Sequence, residues 1–503
     1  MTQEILTKKY IFNPCYIIRN DINRIVLADA SKEIYSHLGK NSFSTFIHPI
    51  HAMLFCFFKG NKTLKEILIQ EVCPFFDLSE EKALALVSQF IENKGMIVVE
   101  YDNYYFYMPQ LLLIENKDYP LRNYIVEDFN ILQNLDFESA RYNIPIDTTL
   151  MINTLCATNC IYCYADRRIK MQTVMPFERI KEFIKETKEL KFRNVDITGG
   201  ELFLYDYWKD LLSELYLNDY DPFLSTKVPL NSYDIDILKD LGVKNIQISL
   251  DSVFYEDLKM NLEVGEIYYH NMLKTINILD QKGIETKIKS VLTSSIFDID
   301  KINTFVDYFQ QYKNVTKLEF TAPGYSLYKT PEQFINFRLS LEQIKMLNEV
   351  VDKKRMRSRC IINVDAPILE SKLYNDSFEN KKQNFEKRAK CTGNERSFLI
   401  LPNGDVTICE EAYFNKNLKM GNLLHNSIME MWNSAQAKDL FYIAQNKFPK
   451  ESACSRCNEF TACRHNTGVC WIDIIAAYGE DNWLFPYPEC PYAPPLINKI
   501  YYE

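Results

Sequence analysis

Three cysteines on one short stretch are the residues whose types and spacing most directly suggest chemistry. Cys156, Cys160 and Cys163 form a C-x3-C-x2-C pattern within residues 154–164. Thiolates are the ligands that iron–sulfur clusters take. Three thiolates bind three irons of a [4Fe–4S] cube and leave the fourth iron open, whereas a fourth cysteine would make the cluster a plain electron carrier. The spacing therefore predicts a cluster with an iron available for chemistry.

A structural zinc loop is the main alternative for these cysteines. Zinc usually takes a fourth nitrogen or sulfur ligand at a pair-like spacing, and the flanking loop contains no histidine. The spacing, with Tyr162 directly before the last cysteine, resembles the signature of radical S-adenosylmethionine (SAM) enzymes. That resemblance implies a [4Fe–4S] cluster that binds SAM through its open iron.

A pair of glycines and a carboxylate follow the second predicted strand. Gly199 and Gly200 let the backbone approach a ligand closely, and Glu201 supplies a carboxylate. A glycine turn beside a solvated glutamate is the alternative. The position resembles the GGE motif of radical SAM enzymes, which implies that it holds the methionyl ammonium of SAM. Leu202 stands where that family usually has proline.

Further SAM contacts are implied near the fourth predicted strand. Ser249 and Asp251 point to the same side of a strand, and the resemblance implies that this strand end contacts the ribose hydroxyls. Lys259 lies roughly where relatives carry a basic residue near the SAM carboxylate; a solvated lysine is the alternative. The third strand ends Ser-Thr-Lys at residues 225–227 where many relatives have Thr-Asn-Gly, so no role is carried over there.

Strands and helices are predicted to alternate across residues 148–330, which gives an α/β fold. The apolar strand candidates are 149–153, 194–198, 222–226, 245–250, 286–292 and 317–321. Such alternation implies a parallel sheet. Six repeats are too few for an eightfold barrel and match the partial (β/α)6 barrel of radical SAM enzymes. Functional residues of barrels lie at strand C-termini, and the cysteine loop follows the first strand.

A second cysteine array lies in residues 391–503, around a hairpin predicted at Asn403-Gly404. A zinc ribbon is a poor alternative, because seven thiolates exceed one tetrahedral site. The array resembles the SPASM domain, which implies two auxiliary iron–sulfur clusters, expected as [4Fe–4S]. By this resemblance the outer cluster is held by Cys454, Cys457, Cys463 and Cys490, and the inner one by Cys391, Cys409 and Cys470.

The array departs from the SPASM pattern at one spacing. Six residues, 464–469, separate Cys463 from Cys470 where the family usually has three. The inner set is also one ligand short. Either a group other than cysteine completes it or one iron is open to substrate, and the sequence leaves both possibilities open.

Residues 1–105 predict a small winged-helix-like α+β domain. Two strands flank an Asn-Asp turn, a helix covers 51–58, Thr63 to Glu66 form a capping box, Ser79 caps a further helix, and 96–100 is a closing strand. Residues 48–72 resemble the first helices of the peptide-recognition domain that is similar to the pyrroloquinoline-quinone peptide chaperone. The resemblance implies capture of a precursor's leader peptide by strand addition. The alternatives are a structural or dimerisation domain and a DNA-binding domain, which the lack of a basic stripe opposes.

Composition and charge argue against nucleic-acid binding and against a membrane span. The 503 residues carry a net charge of -9 without a basic footprint for nucleic acid, and no apolar run reaches membrane-spanning length. The first residues lack a signal-peptide core, so a cytoplasmic location is expected. Residues 106–147 are predicted as a linker, and residues 331–390 as a helical bridging segment.

Taken together, the resemblances imply a radical SAM oxidoreductase that modifies peptides. Such a maturase oxidises or cross-links a ribosomally made precursor peptide after a 5′-deoxyadenosyl radical removes a hydrogen atom, with electrons from a flavodoxin or ferredoxin. One alternative is a sulfatase-type protein maturase, a class that typically lacks the N-terminal domain. The other is a non-catalytic peptide-binding iron–sulfur scaffold, which the intact cysteine loop and GGE motif oppose. No general base is identified.

Overall fold

The chain folds as two units in this computed structural model, which describes residues 3–39, 43–165, 168–374, 376–388 and 390–503. The first unit comprises Met1–Ile146 and Leu190–Asn194, and the second comprises Asp147–Glu189 and Val195–Glu503. No helix in the described part of the chain has the length and apolar character that a bilayer span requires.

The first unit consists of short strands and helices. Its strands are β1 (Lys9–Phe12), β2 (Tyr16–Asn20), β3 (Ile25–Asp29), β4 (Ser44–Ile47), β5 (Lys59–Thr63), β6 (Ile97–Tyr101), β7 (Tyr104–Met108) and β8 (Leu113–Glu115). Its helices are α1 (Gln3–Thr7), α2 (Pro49–Cys56), α3 (Leu64–Ile67), α4 (Cys73–Phe76) and α5 (Glu80–Ser88). The strands form sheets in the orders β5-β1-β8 and β2-β3-β4, and β6 pairs with β7.

Local sequence signals explain several of these elements. Strands β2 and β3 pair antiparallel around the predicted Asn-Asp turn. The Thr63 hydroxyl and the Glu66 carboxylate form the predicted capping box at the start of α3. Ser79 accepts a hydrogen bond from the backbone of Lys82 and so caps α5, as predicted. These caps supply acceptors for backbone N–H groups that have no partner within the helix.

The segment predicted as a linker is instead part of the first unit. Residues 104–115 supply β7 and β8, and β8 pairs with β1. The Arg24 guanidinium donates to the Arg141 carbonyl oxygen at 2.5 Å, and Asp21 accepts from the backbone N–H groups of Asn143 and Ile144. The prolines of this segment were therefore misleading, because buried side chains of an earlier hairpin anchor its backbone.

Asp21 is expected to stabilise this unit strongly. Its fully buried carboxylate lies 3.0 Å from the Arg24 guanidinium, which is also fully buried. Asp21→Ala leaves that cation unpaired, so we expect a loss of about 3–5 kcal/mol in local opening free energy. Hydrogen exchange of the β2 and β3 amides measures this loss. The exposed Glu100→Ala is the control, and equal protection in both variants would contradict the prediction.

The second unit contains the repeating strands and helices. Its strands are β9 (Asp147–Met151), β10 (Asn194–Thr198), β11 (Ser225–Thr226), β12 (Asn245–Ser249), β13 (Glu285–Val291), β14 (Val315–Thr321), β15 (Ile361–Asp365), β16 (Ser397–Ile400), β17 (Asp405–Thr407) and β18 (Lys419–Asn422). Its helices are α6 (Phe177–Glu189), α7 (Trp208–Leu217), α8 (Ser232–Asp240), α9 (Tyr255–Leu262), α10 (Glu266–Lys282), α11 (Ile299–Phe309), α12 (Pro331–Phe337), α13 (Leu341–Arg355), α14 (Ser371–Tyr374), α15 (Phe378–Lys387), α16 (Ile428–Trp432), α17 (Ala435–Phe441) and α18 (Trp471–Tyr478).

The six predicted barrel strands are all present as β9 to β14. Strands β11 to β15 pair in parallel in chain order, and a second sheet has the order β10-β9-β16-β17-β18. Within the described residues no backbone pairing joins β10 to β11. Strand β11 is shorter than the predicted 222–226, since only Ser225 and Thr226 pair with β12. The predicted α/β class therefore holds.

Two strands extend the sheets beyond the predicted set. Strand β15 pairs in parallel with β14, so residues 331–390 are not purely a helical bridge. Strand β16 pairs in parallel with β9 and antiparallel with β17, which forms the hairpin predicted at Asn403-Gly404. Gly404 has a φ of +80° there, a conformation that favours glycine.

Candidate active site and cysteine groups

A cavity of about 740 Å³ lies at the C-terminal ends of the barrel strands. Its walls combine both motifs singled out in the sequence: Cys156, Cys160, Cys163, Gly199, Gly200 and Glu201. Polar side chains from the strands, including Asp196, Gln247 and Ser249, line the same space. The fold thus brings the cysteine loop and the GGE turn to one concave site, as strand C-termini in barrels do.

Asn153 joins the cysteine loop to the GGE turn. This buried residue follows β9 and accepts hydrogen bonds on its side-chain oxygen from the backbone of Leu155 at 3.1 Å and Glu201 at 3.2 Å. Its amide donates to the Glu201 carbonyl oxygen at 2.8 Å. Asn153 was not predicted as a site residue, since its only signal in the sequence is a polar side chain at the end of an apolar strand.

The Glu201 carboxylate is buried among donors. It accepts hydrogen bonds from the Thr226 hydroxyl at 2.9 Å and from the Lys227 backbone N–H at 3.0 Å. Burial raises the pKa of Glu201, and these donors oppose the rise. Glu201 therefore fixes the end of β11 against the GGE turn.

Lys227, Asp251 and Tyr162 form a partly buried network beside the cysteine loop. The Lys227 ammonium lies 2.9 Å from Asp251 Oδ1 and donates to the Tyr162 hydroxyl at 2.7 Å. Tyr162 donates in turn to Asp251 Oδ2 at 2.5 Å. Burial acts to lower the pKa of Lys227, but the negative charges of Asp251, Cys160 and Cys163 together outweigh it, so the pKa is raised. A permanent positive charge therefore lies at the cavity wall.

The two predicted ribose contacts, Ser249 and Asp251, have different surroundings in the structure. Ser249 lines the cavity. In the described part of the chain Asp251 does not, since its side chain is fully buried and its oxygens accept from Lys227, Tyr162 and the Val291 backbone. Asp251 thus acts on the cavity through Lys227.

Lys259 is not placed where the resemblance suggested. Its side chain is 59% exposed on α9, and its nearest charged partner is Glu256 at 3.9 Å. It does not line the cavity among the described residues. The cation at the cavity wall is Lys227, which follows β11 in the stretch where the sequence departed from its relatives.

We expect Lys227 to contribute to SAM binding and Lys259 not to. Lys227→Met removes a positive charge from the cavity wall and leaves Asp251 unpaired. SAM affinity, measured by equilibrium dialysis, should fall about tenfold or more, which corresponds to roughly 1.4 kcal/mol. Lys259→Met should bind SAM as the parent protein does. Equal SAM affinity in the Lys227→Met and Lys259→Met proteins would contradict a role of Lys227 in SAM binding.

The segment after Cys409 forms another part of the cavity wall. Glu410 and Tyr413 line the cavity. The Thr198 hydroxyl, at the end of β10, donates to Glu410 Oε2 at 3.1 Å. Burial raises the pKa of Tyr164 far above its ordinary value, and Glu410 adds to this effect. The second cysteine array is therefore continuous with the wall of the main cavity.

The remaining clustered cysteines lie in two groups. The outer cysteine group is Cys454, Cys457, Cys463 and Cys490, and burial followed by the other three thiols raises the pKa of Cys490 to about 11. The inner cysteine group is Cys391, Cys409 and Cys470, and burial, with a contribution from Cys391, raises the pKa of Cys409 to about 12. Cys391 likewise acts on Cys470. Their roles as cluster ligands stay a prediction.

The donor chemistry of these groups fits iron–sulfur clusters, because thiolates are the ligands that such clusters take. Among the described residues, no three His, Cys, Asp or Glu side chains converge on a position for one metal ion. Beside the outer cysteine group, Nε and Nη1 of the buried Arg464 have no hydrogen-bond partner within the described part of the chain. Such donors fit the sulfur atoms of a cluster.

Two parts of the chain match known protein families. Residues 150–305 match the radical SAM superfamily, and residues 391–458 match the iron–sulfur cluster-binding SPASM domain. The chain therefore contains a radical SAM domain and an iron–sulfur cluster-binding SPASM domain. These domains imply a SAM-binding [4Fe–4S] cluster, auxiliary iron–sulfur clusters and SAM itself.

Individual relatives are similar over large parts of the chain. The antilisterial bacteriocin subtilosin biosynthesis protein AlbA of Bacillus subtilis (strain 168) is 22% identical over 332 residues, which cover 63% of this chain and 66% of AlbA. The match thus spans just under two thirds of that relative. Streptococcus suis SuiB bound to SAM has a TM-score of 0.57 at 14% identity, covering 94% of this chain and 98% of SuiB. SuiB bound to the precursor peptide SuiA has a TM-score of 0.59 at 13% identity, covering 95% and 98%. The structural likeness shows a common fold.

Proposed function

We propose that this protein is a maturase that oxidises or cross-links a ribosomally made precursor peptide. The observation that carries the proposal is a single cavity lined by the three loop cysteines, the GGE turn and Glu410 of the second array. The relatives support it, because one is a bacteriocin biosynthesis protein and another has been crystallised with a precursor peptide.

Residues of the cavity are assigned roles by this proposal. Cys156, Cys160 and Cys163 hold the cluster that binds SAM. When bound, the cluster and SAM supply a 5′-deoxyadenosyl radical that removes a hydrogen atom from a substrate C–H bond. The backbone at residues 199–201 binds the methionyl ammonium, Lys227 attracts the carboxylate, and Ser249 faces the ribose.

The cysteine groups of the SPASM domain give an electron a route out of the cavity. In this proposal the inner and outer cysteine groups hold the auxiliary clusters. After hydrogen removal the substrate loses one electron and one proton, so the peptide loses two hydrogens in total.

The first unit is the proposed binding site for the leader peptide. In this proposal the leader peptide adds as a strand to one of its sheets, and backbone hydrogen bonds would then provide affinity. A flavodoxin or ferredoxin is the proposed source of electrons for SAM cleavage.

The decisive experiment uses a short peptide encoded beside the gene for this protein. Anaerobic incubation of that peptide with the reconstituted protein, SAM and a reductant should lower its mass by two hydrogens while 5′-deoxyadenosine forms. Fragmentation would then locate the new bond. Formation of 5′-deoxyadenosine with an unchanged peptide, for every such candidate, would reject the peptide-maturase assignment and leave the radical SAM class in place.

A further inference from the structure

The unusual spacing between Cys463 and Cys470 has a structural counterpart. Residues Ala462–Thr467 form a π-helical turn, and the Gly468 N–H donates to the Cys463 carbonyl oxygen at 2.8 Å. Gly468 ends the turn with a φ of +74°. Short π-helical insertions are frequent at functional sites. This one directs Arg464 into the protein, where the residue is only 5% exposed.

Arg464 contacts the outer cysteine group directly. Its Nη2 donates to Cys454 Sγ at 3.2 Å and to the Phe485 carbonyl oxygen at 2.7 Å. One guanidinium thus donates directly to a thiol of this group.

Within the described part of the chain, the Arg464 guanidinium has no carboxylate partner and lacks acceptors for some of its donors. Nε and Nη1 are buried without a hydrogen-bond partner there, and none of the ion pairs among those residues includes Arg464. Burying an unpaired charge is costly. The anionic group that would offset this cost is the one that the four thiols of the outer cysteine group hold.

The surroundings strengthen this interaction. The Phe448 and Trp471 ring centres each lie 5.1 Å from the guanidinium carbon. Cys454, Cys457 and Trp471 also pack against a buried cluster of Ile443, Phe448 and Phe460. Charges interact more strongly in such apolar surroundings than in water.

We propose that Arg464 raises the reduction potential of the cluster held by the outer cysteine group. One-electron reduction adds one negative charge to a cluster with four thiolates. Hydrogen bonds to sulfur and a nearby buried cation stabilise this more negative form. The electron comes from a one-electron carrier of the flavodoxin or ferredoxin class, or from the substrate radical. The inference depends on the ligand set and goes beyond the proposed peptide chemistry.

Arg388 makes a weaker contact with the same group. Its Nη2 lies 3.8 Å from Cys463 Sγ, and it donates to the Gly468 carbonyl oxygen at 3.0 Å. Its Nη1 donates to the Phe385 carbonyl oxygen at 2.6 Å. Because these donors already have acceptors, Arg464 is the residue expected to have the larger effect.

The test is a redox titration of the full-length reconstituted protein, with dithionite as reductant and EPR detection. Arg464→Gln should lower the equilibrium constant for reduction of one cluster about tenfold, a shift of about 59 mV for a one-electron couple. The control is Arg456→Gln, an exposed arginine between Cys454 and Cys457, which should leave all potentials unchanged. Equal potentials in the parent and Arg464→Gln proteins would overturn the proposal.

A second measurement observes the unsubstituted protein directly. In the unsubstituted protein with ¹⁵N-labelled arginine, pulsed EPR of the reduced clusters should show nitrogen coupling that is lost in Arg464→Lys and retained in Arg388→Lys. Absence of arginine coupling in the unsubstituted protein would overturn the proposal. Iron analysis of Cys490→Ala tests the ligand assignment separately, with an expected loss of about four irons per chain.

Discussion

Replacing Cys163 with alanine is expected to abolish the reductive cleavage of SAM. Cys163 is one of three thiols on the cavity wall, and the proposed cluster needs all three to leave just one iron open. With two thiols the cluster is lost or no longer presents an iron to SAM in the correct place. Chromatography of 5′-deoxyadenosine after anaerobic incubation with dithionite should show only the protein-free background.

A second cysteine makes a matched control for this substitution. Cys360 is 4% exposed, and its thiol donates to the Val315 carbonyl oxygen at 3.0 Å. It does not line the described cavity. Cys360→Ala removes the same atoms from a packed region, so a stability loss of about 1 kcal/mol is expected with SAM cleavage retained. Substantial 5′-deoxyadenosine from Cys163→Ala would refute the ligand assignment.

The features that sequence predicts best are those encoded by neighbouring residues. The cysteine loop, the caps at Thr63 and Ser79, and the turn at Gly404 each depend on a few consecutive positions. The barrel strands can also be predicted from the sequence, because buried parallel strands are apolar runs between helices. Domain family and cofactor class follow from these local signals.

Contacts between elements that are distant in the sequence could not be predicted from such local signals. Lys227, Asp251 and Tyr162 come from the ends of β11 and β12 and from the cysteine loop, so only the folded barrel brings their charges together. The resemblance to radical SAM enzymes instead indicated Lys259, which is solvent-exposed. Such an ion network has no periodic pattern in sequence.

The wrong prediction of a linker at residues 106–147 has a related physical cause. Prolines and irregular backbone are typical of linkers, yet buried side chains can anchor an irregular segment as firmly as a helix. Arg19 donates to the carbonyl oxygens of Ile144 and Pro145, at 2.6 Å and 2.7 Å. Nothing in the residues 141–146 themselves signals that these partners lie more than a hundred positions earlier.

Replacing Gly200 with alanine is expected to disrupt the GGE turn and the cysteine loop together. A Cβ at this position would lie 2.0 Å from the Leu155 carbonyl oxygen and 2.5 Å from its carbon. These are backbone atoms of the cysteine loop, so no side-chain rotation can relieve the clash. We expect about 1–3 kcal/mol of destabilisation from overpacking and a loss of SAM binding. Thermal unfolding and equilibrium dialysis measure the two effects.

Gly324→Ala is the control, because it adds a methyl group to the same cavity without a clash. Gly324 lines the same cavity, but a Cβ there would meet no atom within 4 Å. Gly324→Ala should therefore fold normally and bind SAM nearly as the parent protein does. If Gly200→Ala also bound SAM normally, the close approach of the two loops would not be required for the site. A loss confined to Gly200→Ala would instead show that SAM binding depends on the backbone contact between the GGE turn and Leu155, and not on the side chains alone.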